Sequence, residues 1–306
     1  MKTVSKMRRI GGAVFVAAAL VPGGRVSAQD VSPLTRVTEL GLDSSQIGRV
    51  SAHFAPEDRE FATELARLSA EAVAFFEDEF ESTLPVHLAV LRPDTWFVPY
   101  EGGDFEPYGI PWAWIPTSLI TVPASQTEGA LIQGPDRTAD VRRISFIMLH
   151  EFGHIGAKKV LHPSSGREYS PARWFEEFLS TYVAYSYVAA HDAEWAQAMV
   201  REWSGMVRSA SPESATLDWS QLYQLSPEEY ASTYAWYQNL LGLRAAAVYA
   251  EHGLAFLHAM RSNLDWKESD GWTSEYLISV LDAMAPGFEE WADGLGRGLY
   301  TDLAYR

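Results

Sequence analysis

The chain has 306 residues, no cysteine, and 40 acidic side chains against 24 Lys and Arg, for a formal charge of −16. Without cysteine there is no disulfide framework, so the fold must rest on its core and on any bound metal. A surface of that sign repels a phosphate backbone and excludes nucleic acid as a partner, while the length and the 11 Trp and 14 Tyr suffice for one large domain or two closely packed lobes.

The N-terminus opens with Lys2, Lys6, Arg8 and Arg9, continues with an apolar run from about Ile10 to Val21, and ends on the small-residue pattern Val26-Ser27-Ala28. This is the layout of a secretory signal peptide over residues 1–28, with cleavage expected after Ala28. The alternative, an uncleaved anchor, is disfavoured because the run falls short of the roughly 20 apolar residues that cross a bilayer. The exported form is therefore expected to be secreted or periplasmic and to keep no stable membrane anchor.

Residues 46–54 (QIGRVSAHF) read as a short strand. Pro56, followed by Glu57, Asp58 and Glu60, starts a helix with acids in its first turn. Phe61, Leu65, Leu68, Ala72, Phe75 and Phe76 carry its core stripe to about Phe80. Residues 84–93 (LPVHLAVLRP) alternate as a strand, in which His87 is an ordinary strand histidine. A Pro-, Gly- and aromatic-rich connection over 94–109 could wall a cleft. Residues 118–125 (SLITVPAS) form another strand, and the prolines at its two ends, Pro116 and Pro123, predict an edge position. From Asp140 onward the periodicity is helical, over about 141–160, 171–190, 192–208, 227–251, 253–263 and 273–284. Sheet first and helices after predict an α+β fold, with an N-terminal α/β lobe at 29–140, a helical lobe at 141–306 and a cleft between them.

Within the first long helix stands IMLHEFGHIGAKK, residues 147–159. His150 and His154, at i and i+4, lie on one face about 6 Å apart along the axis, so both imidazoles reach one small ion. HExxH on a helix is a zinc-binding signature with Glu151 as general base. A solvated face is the bland reading, but Ile144, Phe146, Ile147, Met148 and Leu149 cover most of the circumference and imply burial. Buried imidazoles and carboxylates need partners, and a divalent cation satisfies all of them at once.

Zinc held by two imidazoles needs a third protein ligand. The metzincin pattern is excluded, because Ala157 and Val160 stand where it requires glycine and histidine. His162 is one candidate, although it precedes Pro163 in a turn. The better one lies in SPARWFEEFLSTYVAY, residues 170–185, where Ser170 and Pro171 start a helix. Glu176 and Glu177 are embedded there among Trp174, Phe175, Phe178 and Tyr182; Glu176 reads as helix surface.

In these two segments the chain resembles the gluzincin metallopeptidases and their short peptidase MA-like domains, in which HExxH is followed about twenty residues later by a W-x-x-E helix. The resemblance puts Trp174 on the family tryptophan, Glu177 on the metal-binding glutamate and Ser180 on the small residue three further on. Thr181 departs from thermolysin-like members, which carry there an acid that orients the first histidine. The resemblance implies a zincin-like fold, Zn²⁺ on His150, His154 and Glu177, and a peptide or protein substrate whose backbone pairs with an edge strand near 117–124. It also implies a hydrogen-bond donor for the oxyanion, for which Tyr230 and Tyr234 are the candidates. The expected activity is hydrolysis of peptide bonds; a catalytically inactive, zinc-stabilised binding module is the alternative, and the presence of Glu151 argues against it. A hydrolase of another class on the same scaffold is the third reading.

Overall fold

The computed structural model describes residues 31–77, 85–100, 109–124, 137–157, 173–209, 225–264 and 272–296. Among them a small mixed sheet of five strands comes first and a mostly helical half follows, an α+β architecture.

Helix α1 (Pro33–Glu39), not anticipated from the sequence, begins at Ser32, whose hydroxyl accepts from the Thr35 N–H. The stretch expected to be one strand is a hairpin instead, β1 (Asp43–Ile47) and β2 (Val50–Phe54), with Ile47 opposite Val50. Gly48, at φ 54°, supplies the positive angle that a two-residue turn requires. Helix α2 (Arg59–Phe75) then carries the chain back, so that β3 (Val86–Leu91) lies parallel to β2.

Strand β5 (Leu119–Pro123) is parallel to β3 and antiparallel to β4 (Trp112–Trp114), giving the order β1-β2-β3-β5-β4. The strand expected at the edge is therefore internal, and every residue of β5 is buried. Its prolines misled: Pro116 belongs to the turn before the strand and Pro123 closes its end, so neither removes a central ladder donor. Ser118, left-handed at φ 51°, folds β4 tightly onto β5 and makes β4 the edge.

One sheet face carries Val50, Phe54, Leu88, Val90, Ile120 and Val122 against α2 and the helical half, in a single core that continues through both halves of the chain. The other face puts Ala89, Leu91 and Leu119 against Val37 of α1, Trp96 and Tyr100.

The helical half consists of α3 (Arg137–Gly156), α4 (Arg173–His191), α5 (Ala193–Ser209), α6 (Pro227–His252), α7 (Ala255–Asn263), α8 (Ser274–Met284) and α9 (Phe288–Gly296). The first six lie close to the expected ranges; α9 was not anticipated. Ser226 and Glu229 form a capping box at the start of α6. Helix α4 is the centre of this half: from Trp174 to Val188 every residue but Glu176 is buried. Its aromatic side meets the last helices, with Phe178 5.4 Å from Phe288 and 6.1 Å from Phe256, and Trp174 6.0 Å from Trp291. Helices α3 and α4 touch at backbone distance. A Cβ on Gly153 would sit 2.7 Å from Ser180 Cα and 2.8 Å from its carbonyl oxygen, so glycine is required at this crossing.

No single helix among the described residues is long and apolar enough to cross a membrane; α6 and α7 pass by composition only as a pair bent by 100°.

Candidate metal centre

The Gly153–Ser180 contact sets the distance between two polar patches, one on each helix. On α3, His150 and His154 are 8 % and 6 % exposed; on α4, Glu177 is fully buried. The imidazoles stand nearly at right angles, 83°, with centroids 4.7 Å apart and their Nε2 atoms 3.1 Å apart. Oε2 of Glu177 lies 3.1 Å from His150 Nε2 and 3.5 Å from His154 Nε2. Three such donors placed tetrahedrally about a zinc ion are separated by roughly 3.3–3.6 Å. The triangle thus fits one small cation, and the donor types, two imidazoles and a carboxylate, are compatible with zinc.

Glu151 also brings a carboxylate oxygen within 4.8 Å of both histidine donors, and His150, Glu151 and His154 form a group that could hold a metal ion. Two observations separate it from Glu177. Its Oε2 accepts the backbone N–H of Ala113 in β4 at 2.9 Å. Its carboxyl is also pushed up to about 7, chiefly by burial and further by the charge of Glu177, against the opposing effects of His150 and the Ala113 N–H. Burial raises Glu177 too, but the charges of Arg173 and His154 and the hydrogen bonds from both imidazoles hold it well below the usual carboxylate range. Glu177 is therefore held in the ionised form, which can take a cation, while Glu151 can exchange a proton near neutral pH.

The histidines are prepared in the same sense. His154 is lowered to about 4, mainly by burial, so its imidazole is neutral at pH 7 with a lone pair to offer. His150 meets the Thr181 hydroxyl through Nδ1 at 3.1 Å. A metal ion on Nε2 would replace its hydrogen bond to Glu177, with Nδ1–H then donating to Thr181. The sequence left the partner of His150 open; the Thr181 hydroxyl meets it.

Tyr230 is buried and Tyr234 half-buried, and their rings stack at 5.8 Å and 23°. Burial, then the neighbouring charge of Glu177, raises the Tyr234 hydroxyl well above its ordinary value, so it remains a protonated donor beside the site. The electrostatics of Tyr234 tie it to Glu177 and Glu151, and Tyr230 stacks on it one turn earlier. Trp174 is core, its Nε1 donating to Ser274 at 3.0 Å. His162 lies outside the described residues, as does residue range 1–28.

Three contacts were missed in the sequence. Arg173 Nη2 stands 2.6 Å from Glu177 Oε1, and its Nη1 donates to Glu176 Oε2 at 2.9 Å. Glu176 is therefore not helix surface: its side chain is 16 % exposed and anchors that arginine. Gln238 of α6 donates to Glu177 Oε2 at 2.7 Å. The arginine was legible as an i,i+4 partner of Glu177; the glutamine, 61 residues on, and the Ala113 backbone carry no local signal. No family model matches the chain, and no curated protein matches it in sequence.

Proposed function

We propose that the protein is an exported zinc-dependent peptidase of the gluzincin kind, with a zincin-like fold and a substrate cleft between β4 and the helical half. The observation that supports it is the triangle of His150 Nε2, His154 Nε2 and Glu177 Oε2 at 3.1–3.5 Å with the Glu151 carboxyl beside it. His150, His154 and Glu177 would hold Zn²⁺, which supplies Lewis acidity for hydrolysis when bound.

The chain's own groups then have distinct tasks. Glu151, poised near 7, takes a proton from the attacking water as its oxygen bonds to the carbonyl carbon. It passes that proton to the departing amine as the C–N bond breaks. Tyr234, kept protonated, donates to the developing oxyanion, with Tyr230 as the second candidate. The role expected of residues 117–124 passes to β4, which among the described residues has a strand on one side only. Its outer edge, where the Ala113 N–H already meets Glu151, would place an extended peptide backbone beside that carboxyl.

Purified exported protein, assayed on a mixed peptide library beside Glu151→Gln, tests this reading. The account expects stoichiometric zinc in both proteins and cleavage by the wild type only. Zinc in both and cleavage in neither would leave a zinc-stabilised binding module, and absence of zinc from the wild type would overturn the metal centre itself.

A further inference from the structure

We propose that Arg173 and Gln238 are positioning residues that clamp Glu177 at both oxygens, so that the carboxylate offers a metal ion one oxygen in one direction. This rests on the metal-centre reading above and goes beyond it. A carboxylate turns readily about its last torsion and binds cations through one oxygen or through both. Glu177 is denied that freedom. Arg173 forms a close ion pair with Oε1 at 2.6 Å, outside hydrogen-bond geometry, and Gln238 donates a hydrogen bond to Oε2 at 2.7 Å. The remaining capacity of Oε2 points at the two imidazole nitrogens, 3.1 and 3.5 Å away.

The clamp is itself supported from two elements. Arg173 opens α4 and is fixed on its other nitrogen by Glu176 at 2.9 Å. Gln238 is buried on α6, so the ligand is tied to a third helix besides those that carry the histidines and itself. An ordinary helix-surface pair would be exposed and geometrically loose. Here the Arg173 side chain is 13 % exposed and its partner fully buried. Charge neutralisation alone would need only a nearby cation; here the cation lies against Oε1 while a neutral amide hydrogen-bonds Oε2, and two contacts on separate oxygens oppose rotation of the carboxylate.

The test uses the exported chain stripped of metal and reloaded. Zinc affinity is read by competition with a chromophoric chelator, and coordination number by the visible absorption of the Co(II) form, in wild type, Arg173→Met, Arg173→Lys and Gln238→Leu. Arg173→Met and Gln238→Leu are expected to weaken zinc binding about 10–100-fold. Arg173→Met should also lower the Co(II) band intensity, as Glu177 becomes free to bind through both oxygens. Arg173→Lys, which keeps a cationic donor for Oε1, should recover most of the affinity. Unchanged affinity and an unchanged Co(II) band in both truncations would overturn the proposal. Should either truncation lose its cooperative melt, Gln238→Asn, polar but too short to reach, is read instead: weaker zinc supports the clamp and wild-type affinity overturns it. A wild-type chain that takes up neither ion overturns the metal-centre reading, and this inference with it.

Discussion

Two carboxylates reach the imidazoles of His150 and His154 from different parts of the fold. Glu177 belongs to the α3–α4 seam, where Gly153 lies on the Ser180 backbone and Arg173 and Gln238 take up the carboxylate. Glu151 looks toward the β4 edge, where one backbone N–H, that of Ala113, meets it. The seam holds its acid ionised, well below the usual range, and the edge leaves its acid near 7. Burial alone would raise both. What separates them is the density of donors around each, and in the proposed function that separation gives one acid the binding role and the other the proton transfer.

The comparison can be broken most severely at Glu177. Glu177→Ala removes the buried partner of Arg173 and leaves it paired with Glu176, for which a loss of about 3 kcal/mol, the lower end for a broken buried pair, is expected in denaturant unfolding. Zinc content by metal analysis should fall with it; full retention would move the third ligand elsewhere. Next in size is Gly153→Ala. One methyl group driven into Ser180 Cα must part the helices, at an expected cost of about 1–3 kcal/mol. Zinc affinity should drop as well, because the seam sets the donor spacing. A variant as stable and as zinc-avid as wild type would show the seam to be dispensable.

These two sites also mark how far the sequence could be read. The HExxH spacing, the W-x-x-E helix and the apolar coats of both were visible, because a helix fixes the relation of residues three and four apart. Thr181 lies four past Glu177 and was legible by the same rule, although what it would do there was not. Gln238 and the Ala113 N–H come from other elements, and their approach is decided by packing that no local pattern encodes. In the sheet the error was one of turns: Gly48 and Ser118 each reverse the chain within a few residues, so one expected strand became two and an expected edge became interior. Ser118 in particular breaks the rule that non-glycine residues avoid positive φ.

Two smaller effects sharpen the contrast. Thr181→Val keeps the shape of the side chain and removes the oxygen that meets His150 Nδ1. Zinc affinity should weaken about 10–100-fold, with only about 1 kcal/mol lost in stability. An unchanged affinity would make the hydroxyl incidental. On the edge side, Ala113→Pro deletes the N–H that Glu151 accepts and leaves every seam contact in place. Because that hydrogen bond lowers the Glu151 carboxyl, its loss should raise the pKa and move the acid limb of kcat/KM to higher pH, with zinc affinity unaltered. A limb that stays in place, or moves to lower pH, would separate Glu151 from the proton transfer assigned to it.

The proposed joint grip of His150, His154 and Glu177 on one ion is most directly tested by X-ray absorption at the zinc edge on the purified protein loaded with one equivalent of zinc. The account predicts two imidazole nitrogens at about 2.0–2.1 Å with light oxygen donors completing a four-coordinate shell. It also predicts that the ordered shell is lost in Glu177→Ala. A shell without imidazole, or one identical in the two proteins, would contradict it.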